Sequence, residues 1–284
     1  MPRIAVLGAG TMGHGIAQVC AMAGYPVHLA DAAEPLARHG LERIRANLEE
    51  GVRRGKLSEA DVVRHLENIT VSGTIEAACD GADIIIEAVP EKPELKRDVL
   101  QRAERAASAG SVLASNTSSL SIGDMQSWLS HPASFLGLHF FNPVHINRLV
   151  EVVRGPRTSE ETVQRGLELV QRIGKESVLV NDSPGFATSR LGVLLGLEAM
   201  RMVEEGVASA ADIDRALELG YRHPMGPLRL TDLVGLDVRL DIARYLHEKL
   251  GAEQYRPPRI LEDMVAQGRL GKKTGRGFYE WPAD

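Results

Sequence analysis

The sequence predicts an α/β fold in which a doubly wound sheet is followed by an all-helical C-terminal domain. Three observations carry this prediction. Strand and helix patterns alternate as far as Asp182, a glycine-rich turn joins the first strand to the first helix, and no strand pattern follows Asp182. Repeated βα alternation is typical of a sheet with helices on both faces. We therefore expect two domains, residues 1–182 and residues 183–284.

The N-terminal segment has the pattern of a dinucleotide-binding βαβ unit. An apolar run at Arg3–Leu7 predicts a strand, and the sequence G-A-G-T-M-G follows it at Gly8–Gly13. A helix pattern then covers Ile16–Ala23, a second strand is predicted at Val27–Ala30, and Asp31 follows that strand. Strand, G-x-G-x-x-G, helix, strand and acid in this order indicate a Rossmann-type domain.

The residue types of the glycine-rich turn suit a phosphate ligand. Gly8 permits the tight turn, Gly10 lets the backbone approach a pyrophosphate, and Gly13 lets the helix pack close to the strand. Thr11 and Met12 belong to the same predicted cofactor-binding turn. The helix that follows offers unpaired N–H groups and a partial positive charge to the phosphates.

Asp31 predicts which dinucleotide binds. A carboxylate at this position accepts hydrogen bonds from the ribose hydroxyls and repels a 2′-phosphate. We therefore expect NAD in preference to NADP. A glycine-rich turn alone is weak evidence, because any sharp strand-to-helix turn favours glycine, and the prediction depends on the strands, helix and acid that accompany it.

Composition is that of an ordinary soluble globular protein. The chain has 284 residues, of which 44% are hydrophobic and 25% charged, and its net charge is −5. The acidic balance does not favour a nucleic-acid partner. No apolar stretch reaches membrane-spanning length, and Met1 leads directly into a strand, so a cytoplasmic protein is expected. Cys20 and Cys79 fit no metal-binding or redox spacing, and Cys20 is predicted to lie in the core.

The first domain continues its alternation after Asp31. Ser58 and Asp61 resemble a capping box at the start of a short helix. Strands are predicted at Ile69–Ser72, Asp83–Val89, Val112–Ser115, Phe135–Phe140, Leu149–Val153 and Ser177–Val180, and the longer helices at Glu34–Lys56, Glu94–Ala107 and Thr158–Ile173.

The second domain is predicted from helix start and stop signals. The expected helices run from Ser183-Pro184 to Gly206, from Ser209 to Gly220, from the H-P-M-G-P turn to Leu250, and from Pro257-Pro258 to Gly268. The first of these is apolar on more than one side, with Leu191 and Leu195 among its apolar residues. A helix with apolar residues on more than one side needs two neighbouring surfaces to bury them. We expect a homodimer formed through this domain, and burial between the two domains is the alternative.

Two polar stretches are predicted at neighbouring strand ends. The sequence A-S-N-T-S-S at residues 114–119 and the sequence G-L-H-F-F-N-P at residues 137–143 bring Ser118, Asn116 and His139 toward the carboxyl edge of the sheet, where ligands of such sheets bind. A dehydrogenase of hydroxyl groups needs a base for the alcohol proton and hydrogen-bond donors for the oxygen. Glu151, on the next strand, is placed to fix the tautomer of His139.

The chain resembles the short-chain L-3-hydroxyacyl-CoA dehydrogenases, and among them the bacterial 3-hydroxybutyryl-CoA dehydrogenases. The resemblance covers nearly the whole length and rests on the stretches G-A-G-T-M-G-H-G-I-A, S-N-T-S-S-L, G-L-H-F-F-N-P-V, D-S-P-G-F, H-P-M-G-P-L and G-K-K-T-G-R-G-F-Y. It implies NAD-dependent interconversion of (S)-3-hydroxyacyl-CoA and 3-ketoacyl-CoA, within fatty-acid metabolism.

The same resemblance implies roles for individual residues. His139 corresponds to the general base, Glu151 to its partner, and Ser118 to a residue that binds the substrate oxygen. Further positions correspond to cofactor contacts (Glu91, Lys96, Asn116, Asn142 and Lys273) and to CoA contacts on the helix after the second strand (Asn47 and Arg54). The basic residues around Arg54 suit CoA phosphates, and a solvated helix face is the simpler alternative.

Ser189 departs from the family pattern. After D-S-P-G-F, the residue before Arg190 is usually an asparagine that faces the active site, and here it is serine. Serine keeps a donor and an acceptor but is shorter, so a water molecule is one way to fill the gap. We expect Ser189 to line the active site, with helix capping or packing as the alternative.

Three other functions fit the same architecture. A dehydrogenase of free hydroxy acids or sugar acids, such as L-gulonate, would use no CoA. A protein without catalytic activity that binds NAD would retain the fold, although the presence of Ser118, His139 and Glu151 argues against it. The large multifunctional β-oxidation protein carries a further hydratase domain, so this chain corresponds at most to a free-standing version of its dehydrogenase.

Overall fold

The computed structural model describes residues 1–282, and the chain divides into two compact units, Met1–Ser183 and a second that begins at Pro184. In the first unit, the strands are β1 (Ile4–Leu7), β2 (Val27–Ala30), β3 (Ile69–Val71), β4 (Ile84–Glu87), β5 (Val112–Ser115), β6 (Phe135–Phe140), β7 (Leu149–Arg154) and β8 (Glu176–Asn181). Its helices are α1 (Gly13–Met22), α2 (Glu34–Arg53), α3 (Glu59–Glu67), α4 (Ile75–Cys79), α5 (Pro93–Ala106), α6 (Ile122–Gln126) and α7 (Glu160–Arg172).

One sheet of eight strands runs through the first unit in the order β3-β2-β1-β4-β5-β6-β7-β8. The pairs from β3 to β6 are parallel, and the chain order reverses between β1 and β4. That reversal is the switch point at which open α/β sheets bind ligands. The central strands are buried on both faces, as their continuous apolar sequences require. The predicted doubly wound Rossmann-type sheet is confirmed.

The sheet departs from simple alternation at β7, which pairs antiparallel to β6. Residues 141–148 join the two strands without a helix. A parallel connection needs a crossover of about a dozen residues or more, so a return in the opposite direction is the geometry that this short link permits. The antiparallel register sets His139 directly opposite Glu151.

Several local predictions for the first unit are confirmed. The Ser58 side chain accepts from the Asp61 N–H while the Asp61 carboxylate accepts from the Ser58 N–H, which is a complete capping box. Cys20 is fully buried, and burial raises the pKa of its thiol to about 12. The short helices α4 and α6 were not predicted, because each is little more than one turn and carries no helical periodicity.

The second unit is helical, as predicted. Its helices are α8 (Thr188–Glu204), α9 (Ala210–Gly220), α10 (Pro227–Val234), α11 (Leu236–Leu250) and α12 (Arg259–Ala266). Buried side chains of α8, α10, α11 and α12 form one hydrophobic core. No helix in residues 1–282 is long and apolar enough to cross a membrane.

Two helix boundaries in the second unit correct the sequence prediction. The long helix does not begin at Ser183-Pro184, because Gly185 and Phe186 have φ of +76° and +48° and the left-handed backbone interrupts any helix there. The single helix predicted up to Leu250 is two helices, α10 and α11. Gly235, with φ of +103°, separates them.

Candidate active site

A cleft of about 490 Å³ lies along the carboxyl ends of β1, β4, β5 and β6 in the first unit. It therefore opens at the switch point of the sheet. Its lining combines the glycine-rich turn, Asp31 and the two polar stretches that the sequence analysis selected. The lining residues are Gly8, Gly10, Thr11, Met12, Asp31, Ala88, Val89, Pro90, Glu91, Asn116, Ser118, His139 and Phe140.

The three glycines at one end of the cleft have the geometry predicted for them. Gly8 has φ of +99°, a conformation that other residues rarely adopt. A Cβ atom on Gly13 would lie 1.7 Å from the Gly8 carbonyl oxygen, so only glycine allows α1 to pack this close to the turn. A Cβ atom on Gly10 would meet nothing within 4 Å, which leaves open space above the backbone. A phosphate group fits that space.

Asp31 is held beside the same turn. Its Oδ2 accepts from the Ala9 N–H at 2.6 Å, and its Oδ1 accepts from the Ala32 N–H at 2.7 Å. These bonds fix the position of the carboxylate at the cleft wall. With the glycine turn, this set of groups fits the pyrophosphate and ribose hydroxyls of a dinucleotide.

His139 and Glu151 form a buried pair at the other end of the cleft. The His139 Nδ1 lies 2.7 Å from Glu151 Oε2, Glu151 is completely buried, and His139 is nearly so. A carboxylate can only accept a hydrogen bond, so this contact favours the tautomer that carries its proton on Nδ1 and leaves Nε2 as the acceptor. The arrangement fixes the tautomer that a general base requires.

Asn116 and Ser118 lie next to this pair on the loop that follows β5. The Asn116 Oδ1 accepts from the Phe140 N–H at 2.9 Å, which ties the loop to the strand that carries His139. Glu91 holds the following residues, because its Oε1 accepts from the Ser118 N–H at 3.1 Å and from the Thr117 hydroxyl. The loop is therefore fixed from both sides.

Lys96 lies beneath Glu91 and is fully buried. Its ammonium group donates to Glu87 Oε1 at 2.8 Å and to the Val89 carbonyl at 3.3 Å, and it lies 3.1 Å from Glu91 Oε2. Burial would raise the pKa of Glu91, but the Lys96 charge and the Thr117 hydrogen bond outweigh burial and hold that pKa below its ordinary value. Lys96 was expected at the cofactor, and its contacts instead join two acidic residues beneath the cleft.

Other predicted site residues lie away from the cleft lining. Asn142 is exposed in the turn after β6, and its carbonyl accepts from the Asn147 side chain at 2.7 Å. On α2, Asn47 donates to Gln18 Oε1 at 3.1 Å, and the exposed Arg54 pairs with Glu50 at 2.7 Å. The sequence analysis gave a solvated helix face as the simpler alternative for these basic residues, and the exposed Arg54 side chain fits that alternative.

Ser189 and Lys273 belong to the second unit. Ser189 is half-buried in the first turn of α8. Lys273 forms an ion pair with Asp237, with Nζ–Oδ distances of 2.5 and 2.6 Å. The buried Asp232 fastens the C-terminal tail that carries Lys273, since its carboxylate accepts from the Phe278 and Tyr279 N–H groups at 2.9 Å.

The sequence analysis missed Glu87, which is completely buried at the end of β4. Its carboxylate accepts from the Ser115 hydroxyl at 2.5 Å, from the Val89 N–H at 2.7 Å and from Lys96. One signal was available, because an acid inside the apolar run D-I-I-I-E-A-V requires a buried partner. In residues 1–282, no cluster of three or more His, Cys, Asp or Glu side chains is arranged to hold a metal ion.

Comparisons with known proteins identify the family that the chain resembles along its length. The model of the 3-hydroxyacyl-CoA dehydrogenase NAD-binding domain matches residues 3–183, and that of the C-terminal domain of the same family matches residues 185–281. A probable 3-hydroxybutyryl-CoA dehydrogenase of Bacillus subtilis is 43% identical over 98% of this chain and 97% of its own length. The 3-hydroxybutyryl-CoA dehydrogenase of Mycobacterium tuberculosis is 42% identical, with 98% of both chains covered.

The fold of the chain also matches that of a solved structure. The crystal structure of (S)-3-hydroxybutyryl-CoA dehydrogenase from Ralstonia eutropha superposes with a TM-score of 0.96 at 37% identity, over 100% of both chains. Two family models that together span nearly the whole chain, and relatives of this identity over full length, are sufficient to assign the family. The chain belongs to the 3-hydroxyacyl-CoA dehydrogenase family.

Proposed function

We propose that this protein is an NAD-dependent dehydrogenase that interconverts (S)-3-hydroxyacyl-CoA and 3-ketoacyl-CoA, with 3-hydroxybutyryl-CoA among its substrates. The observation that carries the proposal is the buried His139–Glu151 pair at the wall of a cleft built for a dinucleotide. The relatives named for this activity, which match along the whole chain, support the substrate class.

The side chains of the first unit suit the proton half of this reaction. His139 accepts the proton of the substrate hydroxyl on Nε2, while Glu151 holds the ring through Nδ1. Ser118 binds the substrate oxygen, and Asn116 holds its loop against the strand of His139. When bound, NAD supplies the acceptor for the hydride that leaves the hydroxyl-bearing carbon. In the reverse direction His139 returns the proton to the carbonyl oxygen.

The preference for NAD over NADP follows from Asp31. Its carboxylate lies at the cleft wall, where two backbone N–H groups hold it, and its negative charge would repel a 2′-phosphate. NADH should bind at least tenfold more tightly than NADPH, in a fluorescence titration of each cofactor. Asp31→Ala should reduce this ratio, because the substitution removes the repulsion of like charges. Equal dissociation constants for the wild type would contradict the assignment of Asp31.

Asn47 and Arg54 remain our candidates for contact with CoA. Asn47 lies on α2 and Arg54 directly follows its last residue, where the exposed Arg54 side chain forms a surface ion pair with Glu50. Exposed ion pairs are weak because solvent screens them, so a phosphate can displace Glu50 at little cost. Arg54→Ala should raise the KM for the CoA thioester and leave NADH binding unaltered.

The second unit supports a homodimer. Large apolar side chains are exposed on α8, α10 and α11, and they include Leu191, Leu195, Leu230, Leu233 and Val238. Leu191 and Leu195 are one turn apart on α8, and Leu230 and Leu233 are one turn apart on α10, and exposed apolar side chains grouped in this way often mark an interface. A second copy of the chain, offering the same patch about a two-fold axis, would cover it. A monomeric mass in light scattering at micromolar concentration would refute this proposal.

Initial rates test the function directly. The protein should reduce acetoacetyl-CoA with NADH, and the reaction should be followed by the loss of NADH absorbance. Activity on free hydroxy acids such as L-gulonate, with none on CoA thioesters, would identify the alternative dehydrogenase. Cofactor binding without turnover of either substrate class would identify an inactive NAD-binding protein.

A further inference from the structure

Lys96 is a buried cation whose donors are all used inside the first unit. Its side chain is completely buried, and an ammonium group has three N–H donors. The Nζ atom lies 2.8 and 3.0 Å from the two carboxylate oxygens of Glu87, 3.3 Å from the Val89 carbonyl oxygen and 3.1 Å from Glu91 Oε2. These partners account for all three donors, so Lys96 has to act on the cleft through the groups that it holds.

Glu91 divides its two carboxylate oxygens between Lys96 and the loop that carries Ser118. Its Oε2 faces Lys96, whereas its Oε1 accepts from the Ser118 N–H at 3.1 Å, from the Ser119 N–H at 3.3 Å and from the Ser119 hydroxyl at 3.1 Å. The Thr117 hydroxyl donates to the same Oε1. Because Glu91 binds the N–H group of Ser118, the Ser118 hydroxyl remains available to a substrate.

Glu87 holds the base of the same loop. Its carboxylate accepts from the hydroxyl of Ser115, the last residue of β5, at 2.5 Å. Its backbone carbonyl accepts from the Asn116 N–H at 2.8 Å. Lys96 therefore connects the acid that holds the base of the loop to the acid that holds residues 117–119.

The loop is also tied to the strand that carries the proposed general base. The Asn116 Oδ1 accepts from the Phe140 N–H at 2.9 Å, and Phe140 follows His139 on β6. Ser118 and His139 both line the cleft. In the proposed reaction these two side chains contact one substrate oxygen, and a displacement of about 1 Å in such an arrangement can reduce the rate about 100-fold.

We propose that Lys96 is a positioning residue for the dehydrogenase reaction, which holds the Ser118 hydroxyl in place relative to His139 through Glu87 and Glu91. A buried polar network in which every member has its partners is rigid. Rigid placement of the groups that bind a reacting oxygen is what makes them effective in a transition state. The inference rests on the proposed function, and it involves side chains of the first unit only.

A double-mutant cycle tests whether Lys96 acts through Ser118. The four proteins are the wild type, Lys96→Met, Ser118→Ala and the double variant, and kcat for reduction of acetoacetyl-CoA by NADH is measured on each. Lys96→Met should lower kcat by about 10- to 100-fold, and Ser118→Ala by about 100-fold. In the double variant, kcat should lie within about threefold of that of Ser118→Ala, because the hydroxyl that Lys96 positions is already absent. Equal losses from Lys96→Met in both backgrounds would contradict the proposal.

Binding of NADH separates this role from direct contact with the cofactor. Lys96→Met should bind NADH with a dissociation constant close to that of the wild type in a fluorescence titration, since the glycine turn and Asp31 are untouched. A raised dissociation constant together with an unaltered kcat would assign Lys96 to cofactor binding and overturn the inference.

Leu100→Ala is a matched control for loss of stability. Leu100 is completely buried on α5, one turn after Lys96, and its truncation leaves a destabilising cavity. This variant should melt at a lower temperature and keep the wild-type kcat, because Glu87 and Glu91 retain their cation. A loss of kcat equal to that of Lys96→Met would show that general loosening of the unit is responsible, and the inference would be wrong.

A second variant keeps the test decisive if Lys96→Met does not fold. Glu87→Gln/Lys96→Met removes both members of the completely buried ion pair but leaves Glu91 without its cation. Its kcat should stay about tenfold or more below that of the wild type, although part of the stability returns. A wild-type kcat in this variant would show that the pair serves folding alone, and would overturn the inference.

Two further outcomes separate this inference from the proposed function. If the wild type reduces acetoacetyl-CoA but the effects of Lys96→Met and Ser118→Ala are additive, the inference is wrong and the proposed function stands. If NADH binds but no CoA thioester is turned over by the wild type, the proposed function is wrong, and the inference falls with it.

Discussion

The structure contains two buried cations, Lys96 in the first unit and Arg239 in the second, and they differ in the partners that their own unit provides. Lys96 contacts two carboxylates and a carbonyl of its own unit. The Nε atom of Arg239 is buried and has no hydrogen-bond partner in the described part of the chain. The first arrangement is complete without a ligand, and we assign a positioning role to Lys96. The second leaves a buried donor without an acceptor, so replacing the two cations should change stability in opposite directions.

The same contrast separates His139 from Ser189. His139 is fixed by a buried carboxylate at 2.7 Å, whereas Ser189 is half-buried in the first turn of α8. Pre-organised groups cost nothing to reorganise during a reaction, and they therefore contribute most to the rate. Substitutions in the paired region should accordingly have larger effects than substitutions on the face of α8.

Replacing His139 with Gln should give the largest effect. General acid–base catalysis contributes about 10²- to 10⁴-fold, so turnover of acetoacetyl-CoA should fall by that factor. NADH should still bind, because the glycine turn and Asp31 are untouched, and a fluorescence titration checks this. Glu151→Gln should slow the reaction less, since the ring remains present but is held by a neutral partner. Near-normal turnover in His139→Gln would show that another residue transfers the proton.

Lys96→Met should destabilise the first unit strongly. Removing one partner of a buried ion pair costs about 3–5 kcal/mol, because Glu87 would be left as an unpaired buried charge. The free energy of unfolding in urea measures this loss. The double variant Glu87→Gln/Lys96→Met should recover part of the stability, since the fully buried Glu87 charge is removed and only the partly exposed Glu91 still lacks its cation. An equal loss in both variants would show that packing, and not charge pairing, is responsible.

Arg239→Met should change stability in the opposite direction. The substitution keeps most of the apolar stem and removes a charge that is desolvated without compensation. A buried unsatisfied polar group costs about 1–3 kcal/mol, so the free energy of unfolding should rise by up to that amount. The comparison with Lys96→Met is made in the same urea titration. A destabilisation of similar size in both variants would mean that Arg239 has an unrecognised partner within its own unit.

Much of the fold was predictable, because local patterns determine it. Continuous apolar runs specify strands buried on both faces, and the glycine turn requires one geometry at Gly8 and Gly13. The start of α8 and the break at Gly235 were not predictable in the same way. There, helical periodicity continues through residues whose positive φ interrupts the helix, and that conformation depends on the packing around them.

The same distinction between local patterns and packing applies to the residues of the candidate site. The residue types of the cleft and the His139–Glu151 pair were predicted, since strand order and motif order fix them. The network of Glu87, Lys96 and Glu91 was not, because it joins the end of β4 to a buried residue of α5, and periodicity carries no information about such contacts. Arg239 was missed for the same reason, as an arginine on a predicted helix is usually solvated.

Ser189→Ala should give the smallest effect. If the Ser189 hydroxyl contacts substrate directly or through one water, its loss costs about 0.5–1.5 kcal/mol. Turnover of a CoA thioester should then fall by roughly two- to tenfold. Because Ser189 lies in the first turn of α8, the alternative is that its hydroxyl only stabilises the helix, and the melting temperature would then fall while the kinetic constants stay the same. Measuring both quantities on one purified variant separates these roles. A change in kinetics without a change in melting temperature would support contact between Ser189 and the substrate.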